Sequence, residues 1–480
     1  MRIYILQCIV LDNAPAVWYC IGKSVYSEVT MDYLTIVSIV FGIIWGIFFL
    51  LLFHYVAFTV IGIFKKRRFP STEEKKKYGI IISARNEEAV IGALIDSIHA
   101  SRYPQEKLQV FVVAHNCTDQ TAQIARERGA TVYEYNNPNE CTLGYAYKFL
   151  YGKINAEWGW QNYDGFLVMN ADNVVPPDYI SKMNDAFVAT KGEQVITSYR
   201  NSSNFGSNYM SCLYGIFFIS CCRYEMRGRT YCGCTTRISG TGYLFRSDMV
   251  KDGWPYVTIT EDWEFTADRV ADGVKIYYCD DAEFFDEQPT TMPIMWRQRL
   301  RWARGHMVVY FTRFKKLVKG LFTPVSKGGP KNKFSIYDMA LSIMPLGVIS
   351  TSLAILNLIC IALSPLFGYS AAAVWASYGW GILAGFGGTY AAGVLMAALL
   401  VLLERRRIPK VGAGKMTAAV LLWPLFIALN IILDVIALFV RNLQWKAIPH
   451  KGVEVIHKKD GSQKVKKEVI PVQEAQGDPE

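Results

Sequence analysis

A chain of 480 residues that is 51% hydrophobic and 19% charged has room for two or three domains and reads as part soluble, part membrane-embedded. Its net charge of +10 fits attraction to phosphates and lipid headgroups, and nucleic acid is set aside as a partner because no aromatic-basic module accompanies the charge. Eleven cysteines include Cys221-Cys222 and Cys232-x-Cys234, but no second pair at zinc-like spacing, so they read as reduced thiols.

In chain order, Leu34 to Phe64 contains no Asp, Glu, Lys or Arg. That run exceeds the roughly 20 apolar residues a membrane helix needs. It is also too long for a signal peptide, and its basic run, Lys65 to Arg68, follows it instead of preceding it. Positive charge flanking a span marks the cytoplasmic side, which puts residues 1–33 outside and the linker 65–77 inside.

Tyr78 to Ser83 then reads as a strand, and Glu87 to His99 as a helix with apolar residues at Val90, Ile91, Leu94, Ile95 and Ile98. Strands over Val110–Ala114, Thr131–Tyr135 and Phe166–Met169 alternate with helices over Thr118–Arg128 and Tyr145–Ile154. Such alternation implies a largely parallel sheet covered by helices. Ligands bind beyond the carboxyl ends of strands in these sheets, where Ala84-Arg85-Asn86-Glu87, His115-Asn116 and Asn170-Ala171-Asp172 fall. Further on come Gly240-Thr241-Gly242, the acidic triplet Thr260-Glu261-Asp262, and Gln298-Arg299-Leu300-Arg301-Trp302 within a basic stretch.

Met339 to Leu403 is again free of the four charged residue types and too long for one crossing, so Ser364-Pro365 and Gly368 are expected to divide it into two membrane helices. Arg405 to Arg407 places the following loop, 404–415, inside. Met416 to Val440 is apolar but interrupted by Pro424, Asn430 and Asp434, and a full crossing there would leave Lys446, Lys451, Lys458 and Lys459 outside. A re-entrant or interfacial segment broken at Pro424 is the expectation. The tail from Lys451 is expected to be disordered.

Between Tyr78 and Tyr310, the order of strand-end carboxylate, acidic triplet and Gln-x-x-Arg-Trp resembles the inverting family 2 glycosyltransferases that include cellulose, chitin and hyaluronan synthases. The resemblance implies an α/β GT-A fold, Rossmann-like with a mostly parallel sheet, as a cytoplasmic domain over residues 78–310. An interfacial segment and linker at 311–335, membrane helices within 336–403 and a basic tail at 441–480 complete the expected organisation. It also implies a multi-pass plasma or inner membrane enzyme that passes a sugar from a nucleotide diphosphate, expected to be a UDP-sugar, to a growing glycan.

The family's roles, carried over, make Asp262 the general base with Glu261 beside it, and Asp172 the ligand of Mg2+ or Mn2+, hard cations that favour oxygen. Ala84, Arg85, Glu87, His115, Asn116, Asp119 and Asn170 would hold the donor. Gly240, Thr241, Gly242, Gln298, Arg301 and Trp302 would hold the diphosphate and the acceptor.

Residue chemistry alone leaves other readings open. Asp172 before Pro176-Pro177 fits a turn, Thr260 fits a helix cap, Gly240-Thr241-Gly242 fits a strand bulge, and the arginines of 297–304 fit a helix lying on headgroups. Three positions depart from the family pattern: Asn170 replaces the first Asp of Asp-x-Asp, His115 stands where an Asp reads uracil, and Leu143 stands where a Lys contacts diphosphate. The competing functions are transfer of one sugar to a lipid or polyprenyl carrier, and an inactive membrane scaffold. Membrane lipids and a second export subunit are the other expected partners.

Overall fold

The computed structural model describes residues 32–440 and His450, with the backbone of 454–457 and 463–466. The expected extracytoplasmic segment therefore lies almost wholly outside the described residues. So does most of the tail, apart from an antiparallel pair of strands, Glu454–His457 with Gln463–Lys466, inside the stretch expected to lack structure. The described chain divides into two compact units, one made of residues 32–53 and 352–385, the other of 54–351 and 386–440 with the tail.

In the first unit, the start of α1 (Tyr33–Phe64) meets chain near residue 360. Tyr33 donates to the Cys360 carbonyl at 2.8 Å and stacks on Phe367 at 4.0 Å, and the Ser38 and Tyr378 hydroxyls pair at 3.1 Å. Most other side chains of this part of α1 are apolar and exposed, the surface that hydrocarbon and not water would cover.

The second unit carries a seven-stranded sheet. Its elements run β1 (Tyr78–Ala84), α2 (Ile91–His99), β2 (Leu108–His115), α3 (Thr121–Glu127), β3 (Thr131–Tyr135), α4 (Leu143–Glu157), β4 (Gly165–Asn170), α5 (Tyr179–Ala189) and β5 (Val195–Ser202). There follow α6 (Tyr209–Ser220), a π-helical turn (Cys221–Met226), α7 (Arg227–Tyr231), β6 (Tyr243–Arg246), α8 (Glu261–Ala271), β7 (Ile276–Asp286) and α9 (Met292–Phe322). Strand order is β3-β2-β1-β4-β6-β5-β7, parallel except at β6, which pairs antiparallel with both β4 and β5. The all-buried pattern of β4 up to Met169 explains its continuous apolar run, since helices cover both faces of such a sheet. Strands β2 and β3 extend to one side of β1 and the β3–β4 connection crosses back to the other, which makes β1/β4 the switch point where open α/β sheets bind ligands.

Beyond the sheet, α9 runs past the expected domain edge at residue 310 without a break. The apolar stretch from 339 is divided once more than the sequence suggested. Pro345 lacks the N–H a continuous helix needs, so α10 (Lys333–Ile343) and α11 (Leu346–Ala362) meet at 62°, before the expected break and α12 (Ala371–Leu403). The opposite correction applies at Pro424, because α13 (Ala413–Phe439) passes through it unbroken. A methyl group on Gly393 would lie 2.9 Å from the Pro424 ring, so the glycine leaves the room this proline occupies. By length and composition α1, α12 and α13 are each able to cross a membrane, with α10 and α11 as a bent fourth candidate.

Candidate active site

One cleft of about 810 Å³ opens along the carboxyl ends of β1, β2 and β4 and continues under α9 to α13. It is lined by Arg85, Glu87, His115, Asn170, Asp172, Gly240, Glu261, Asp262, Gln298, Arg301 and Trp302, residues that the sequence had singled out from six separate segments. Ala84, Asn116, Asp119, Thr241 and Gly242 do not line it. Asn116, in the left-handed region at φ 51°, exchanges hydrogen bonds with Asn137; Asp119 accepts from the Thr121 backbone at 3.1 Å; and Thr241 accepts from the Asn170 N–H at 2.9 Å. These side chains shape the loops that present the lining residues.

At the sheet end of the cleft, Arg85 Nε donates to the His115 carbonyl at 3.0 Å and its Nη2 lies 3.1 Å from His115 Nδ1. His115 Nε2 lies 2.7 Å from the Glu140 carbonyl, which only accepts, so Nε2 carries the proton and Nδ1 accepts from Arg85. Burial, aided by the Arg85 charge, lowers the His115 pKa to about 4 and keeps the ring neutral. Both ring nitrogens are thus engaged within the protein.

Asp172 follows β4, with Oδ1 accepting from Asn173 Nδ2 at 3.1 Å. Burial raises its pKa, opposed by the charges of His450 and Arg200. Glu87 is likewise raised by burial. His450, from beyond α13, bridges the two carboxylates: Nδ1 is 2.7 Å from Glu87 Oε2 and Nε2 is 3.8 Å from Asp172 Oδ2. Burial alone would lower the His450 pKa, but the Glu87 hydrogen bond and both carboxylates carry it up to about 10, so the ring sits there as a cation. Oxygen donors converging where a cation is already favoured fit Mg2+ or Mn2+. Among the described residues, however, no three His, Cys, Asp or Glu side chains come close enough to hold a metal unaided, so substrate oxygens or water would complete the shell.

At the other wall, Asp262 lies in the first turn of α8, where the helix dipole favours a carboxylate. Burial raises its pKa; the Trp263 N–H, Arg237 and Arg301 act against that. Burial and the neighbouring Asp262 push Glu261 up to about 8. Gly240 adopts φ 79°, and a methyl group there would sit 3.8 Å from Asp262 Oδ2. Glycine is therefore required here by the backbone conformation, since a methyl group would make only ordinary contact with the carboxylate.

From α9, Arg301 Nη1 donates to the Ile259 carbonyl at 3.2 Å, just ahead of the acidic triplet. Gln298 accepts from the Tyr214 hydroxyl at 2.8 Å, and the Trp302 indole packs edge-on against Tyr214 and Phe218. The arginines of this helix are not all at a headgroup layer, since Arg299 is 3% exposed.

Several lining residues escaped the sequence reading. Arg237 sits 5.0 Å over the Trp263 ring and pairs with Glu225 at 3.0 Å, while His306, whose pKa burial lowers to about 4, tilts onto Trp263 at 4.5 Å. Arg200, Glu287 and His450 carry no local motif. Asn430 and Asp434 were visible only as interruptions of an apolar run.

Known proteins resemble this chain in family and in fold. Residues 76–305 match the family model described as "Glycosyltransferase like family 2". The probable glycosyltransferase YdaM of Bacillus subtilis is 27% identical over 280 residues, 55% of this chain and 63% of that protein. The poly-beta-1,6-N-acetyl-D-glucosamine synthase of Staphylococcus aureus strain COL is 24% identical over 264 residues, 52% of this chain and 59% of that protein. The chain thus spans about three-fifths of the length of these curated relatives. Among solved structures, the mannosyltransferase PcManGT of Pyrobaculum calidifontis, in complex with GDP-Man and Mn2+, superimposes with a TM-score of 0.51 at 16% identity, covering 78% of this chain and 98% of that one. The family match, with the fold, identifies residues 76–305 of this chain as a family 2 glycosyltransferase domain.

Proposed function

We infer that this chain is a membrane-bound inverting glycosyltransferase that moves a sugar from a nucleoside diphosphate, with UDP-sugars the first donors to test, onto a growing glycan. The observation that carries this reading is that Asp172 and Asp262 line the same cleft, with Gln298, Arg301 and Trp302 on its wall. Arg85 and the loop it braces receive the nucleoside end. Asp172, with Glu87, would hold a divalent cation, whose contribution is to neutralise charge on the leaving diphosphate.

Asp262 faces the acceptor side. Its carboxylate takes the proton from the acceptor hydroxyl as that oxygen attacks the anomeric carbon, and the diphosphate departs from the opposite face, so configuration inverts in one displacement. Protonated Glu261 beside it avoids placing two buried negative charges in contact. Arg301, close enough to feel both carboxylates, fixes the floor of this wall and offers a guanidinium suited to phosphate oxygens. The Trp302 indole gives a sugar ring a flat apolar surface.

The relation to a poly-N-acetylglucosamine synthase supports a polysaccharide product over transfer of one sugar to a carrier lipid. Membranes containing the protein are to be fed radiolabelled nucleotide sugars. High-mass labelled product is the expected result; a single butanol-extractable species would exclude polymer synthesis. Nucleotide release that is metal-dependent and lost in Asp262→Asn is expected for the active enzyme, and release indifferent to that change would return the chain to a scaffold role.

A further inference from the structure

The far end of the cleft leaves the sheet altogether and reaches Asn430 and Asp434 on α13, a helix that carries few other polar groups in its second half. Four residues apart, the two side chains share a helix face. That face also carries Trp423, Phe426, Leu433 and Ala437, which are buried, while Leu425, Ile432 and Leu438 on other faces are exposed. Asn430 and Asp434 are therefore turned toward protein, where an unanswered polar group is costly.

Arg299 answers only part of this. Its Nε and Nη2 donate to Asn430 Oδ1 at 3.0 and 2.5 Å, its Nη1 to the Phe426 carbonyl at 2.8 Å, and its guanidinium lies 4.0 Å over the Phe426 ring. The Asn430 oxygen is thus taken, leaving its amide N–H groups as donors. The Asp434 carboxylate has no hydrogen-bond donor among the described residues, with only the Arg299 charge acting on it. A methyl group on Gly347 would lie 3.0 Å from its Oδ2, so the glycine keeps space open around the carboxylate.

The geometry points to Asn430 and Asp434 as a carbohydrate subsite, holding a neutral, hydroxyl-bearing sugar of the acceptor behind its reacting end. This rests on the transferase reading and deepens it by naming the residues that hold the acceptor glycan behind its reacting end. An amide donor beside two acceptor oxygens matches hydroxyl groups, which both give and take hydrogen bonds. Trp302, Phe217 and Phe218 line the same cleft and supply apolar faces for sugar rings. A lipid phosphate fits worse, because the Arg299 fork is already spent on Asn430 and Phe426, and Asp434 would repel the anion.

The test is equilibrium binding of neutral tetrasaccharides, cellotetraose and chitotetraose, and of a short-chain polyprenyl phosphate, to the full-length protein in detergent, without turnover. At least one tetrasaccharide is expected to bind, about tenfold more weakly to Asp434→Ala and Asn430→Ala, in line with loss of a charged or neutral hydrogen bond. Asp434→Asn, which keeps one acceptor oxygen, is expected to lose less, and Leu438→Ala on the exposed face to lose nothing. Variants whose melting temperature drops are replaced in the comparison by Asp434→Asn. Unchanged tetrasaccharide binding in the alanine variants, no tetrasaccharide binding at all, or Asp434-dependent binding of polyprenyl phosphate alone each overturns the subsite. Nucleotide release from donor by the unmodified protein is read separately. Its absence beside Asp434-dependent sugar binding would sink the transferase reading and leave the subsite standing.

Discussion

Asp262 concentrates the energetic conflict of the molecule: it is buried enough to resist ionisation, yet the role of base proposed for it requires the ionised form. Its raised pKa means that the folded state prefers the protonated form, so this group's contribution to stability is lost as pH rises from the unfolded value through the folded one. Asp262→Asn should therefore lower transfer about 10²–10⁴-fold while leaving the melting temperature at neutral pH equal or higher, measured by radiolabel transfer and thermal unfolding. The acid limb of the pH–rate profile should lie above the ordinary aspartate value of 3.8. Arg237 is one of the charges holding that limb down, so Arg237→Met should move it to higher pH. A profile unmoved by that substitution would mean that another group controls the limb.

At the level of elements, the placement of Asp262 depends on how closely α9 approaches the start of α8. A methyl group on Gly305 would come within 2.3 Å of Thr260 Cγ2, and Thr260 immediately precedes α8. Gly305→Ala has to displace that residue or the helix. Overpacking of this kind costs about 1–3 kcal/mol, and here it acts one turn from the proposed base, so denaturant midpoint and transfer rate should fall together. Stability loss without any change in rate would show that α8 absorbs the shift elsewhere. Helix α13 presents a different balance. Its length permits a crossing, but Lys415 donates to the Gly206 carbonyl at 2.8 Å near one end and Arg304 reaches the Ala437 carbonyl at 3.4 Å near the other. Both ends are tied to the sheet-bearing unit, so single cysteines at 415 and 440 should be labelled from the same side of sealed vesicles.

Across the whole sheet-bearing unit, a buried charge network ties the end of α12 to the sheet. Glu404, 4% exposed, accepts from Arg223, while Asp280 pairs with Arg227 at 2.9 Å, Arg407 at 3.3 Å and Lys66 at 3.4 Å. Well-paired buried ions add little net stability, but removing one partner strands the others. Glu404→Gln should cost about 3–5 kcal/mol by that reasoning, read as a lower unfolding midpoint in detergent, whereas Arg405→Gln, outside this network, should change little.

The sequence by itself determined the alternation of the first four strands and their helices, because buried parallel strands require unbroken apolar runs and amphipathic helices a 3.6-residue period. It also determined the long apolar helices, through absence of charge, and the motif residues, because Asp172, Asp262 and Gln298 to Trp302 stand in a recognisable order. Tertiary structure alone decided what surrounds them. The antiparallel β6 depends on pairing partners that no local pattern states, and the room for the Pro424 ring comes from Gly393, thirty-one residues away. Arg237, His306, Asp434 and His450 join the cleft through contacts distant along the chain. Local periodicity encodes which face of an element is buried; it does not encode against what, and the chemistry of this cleft lies in that second choice.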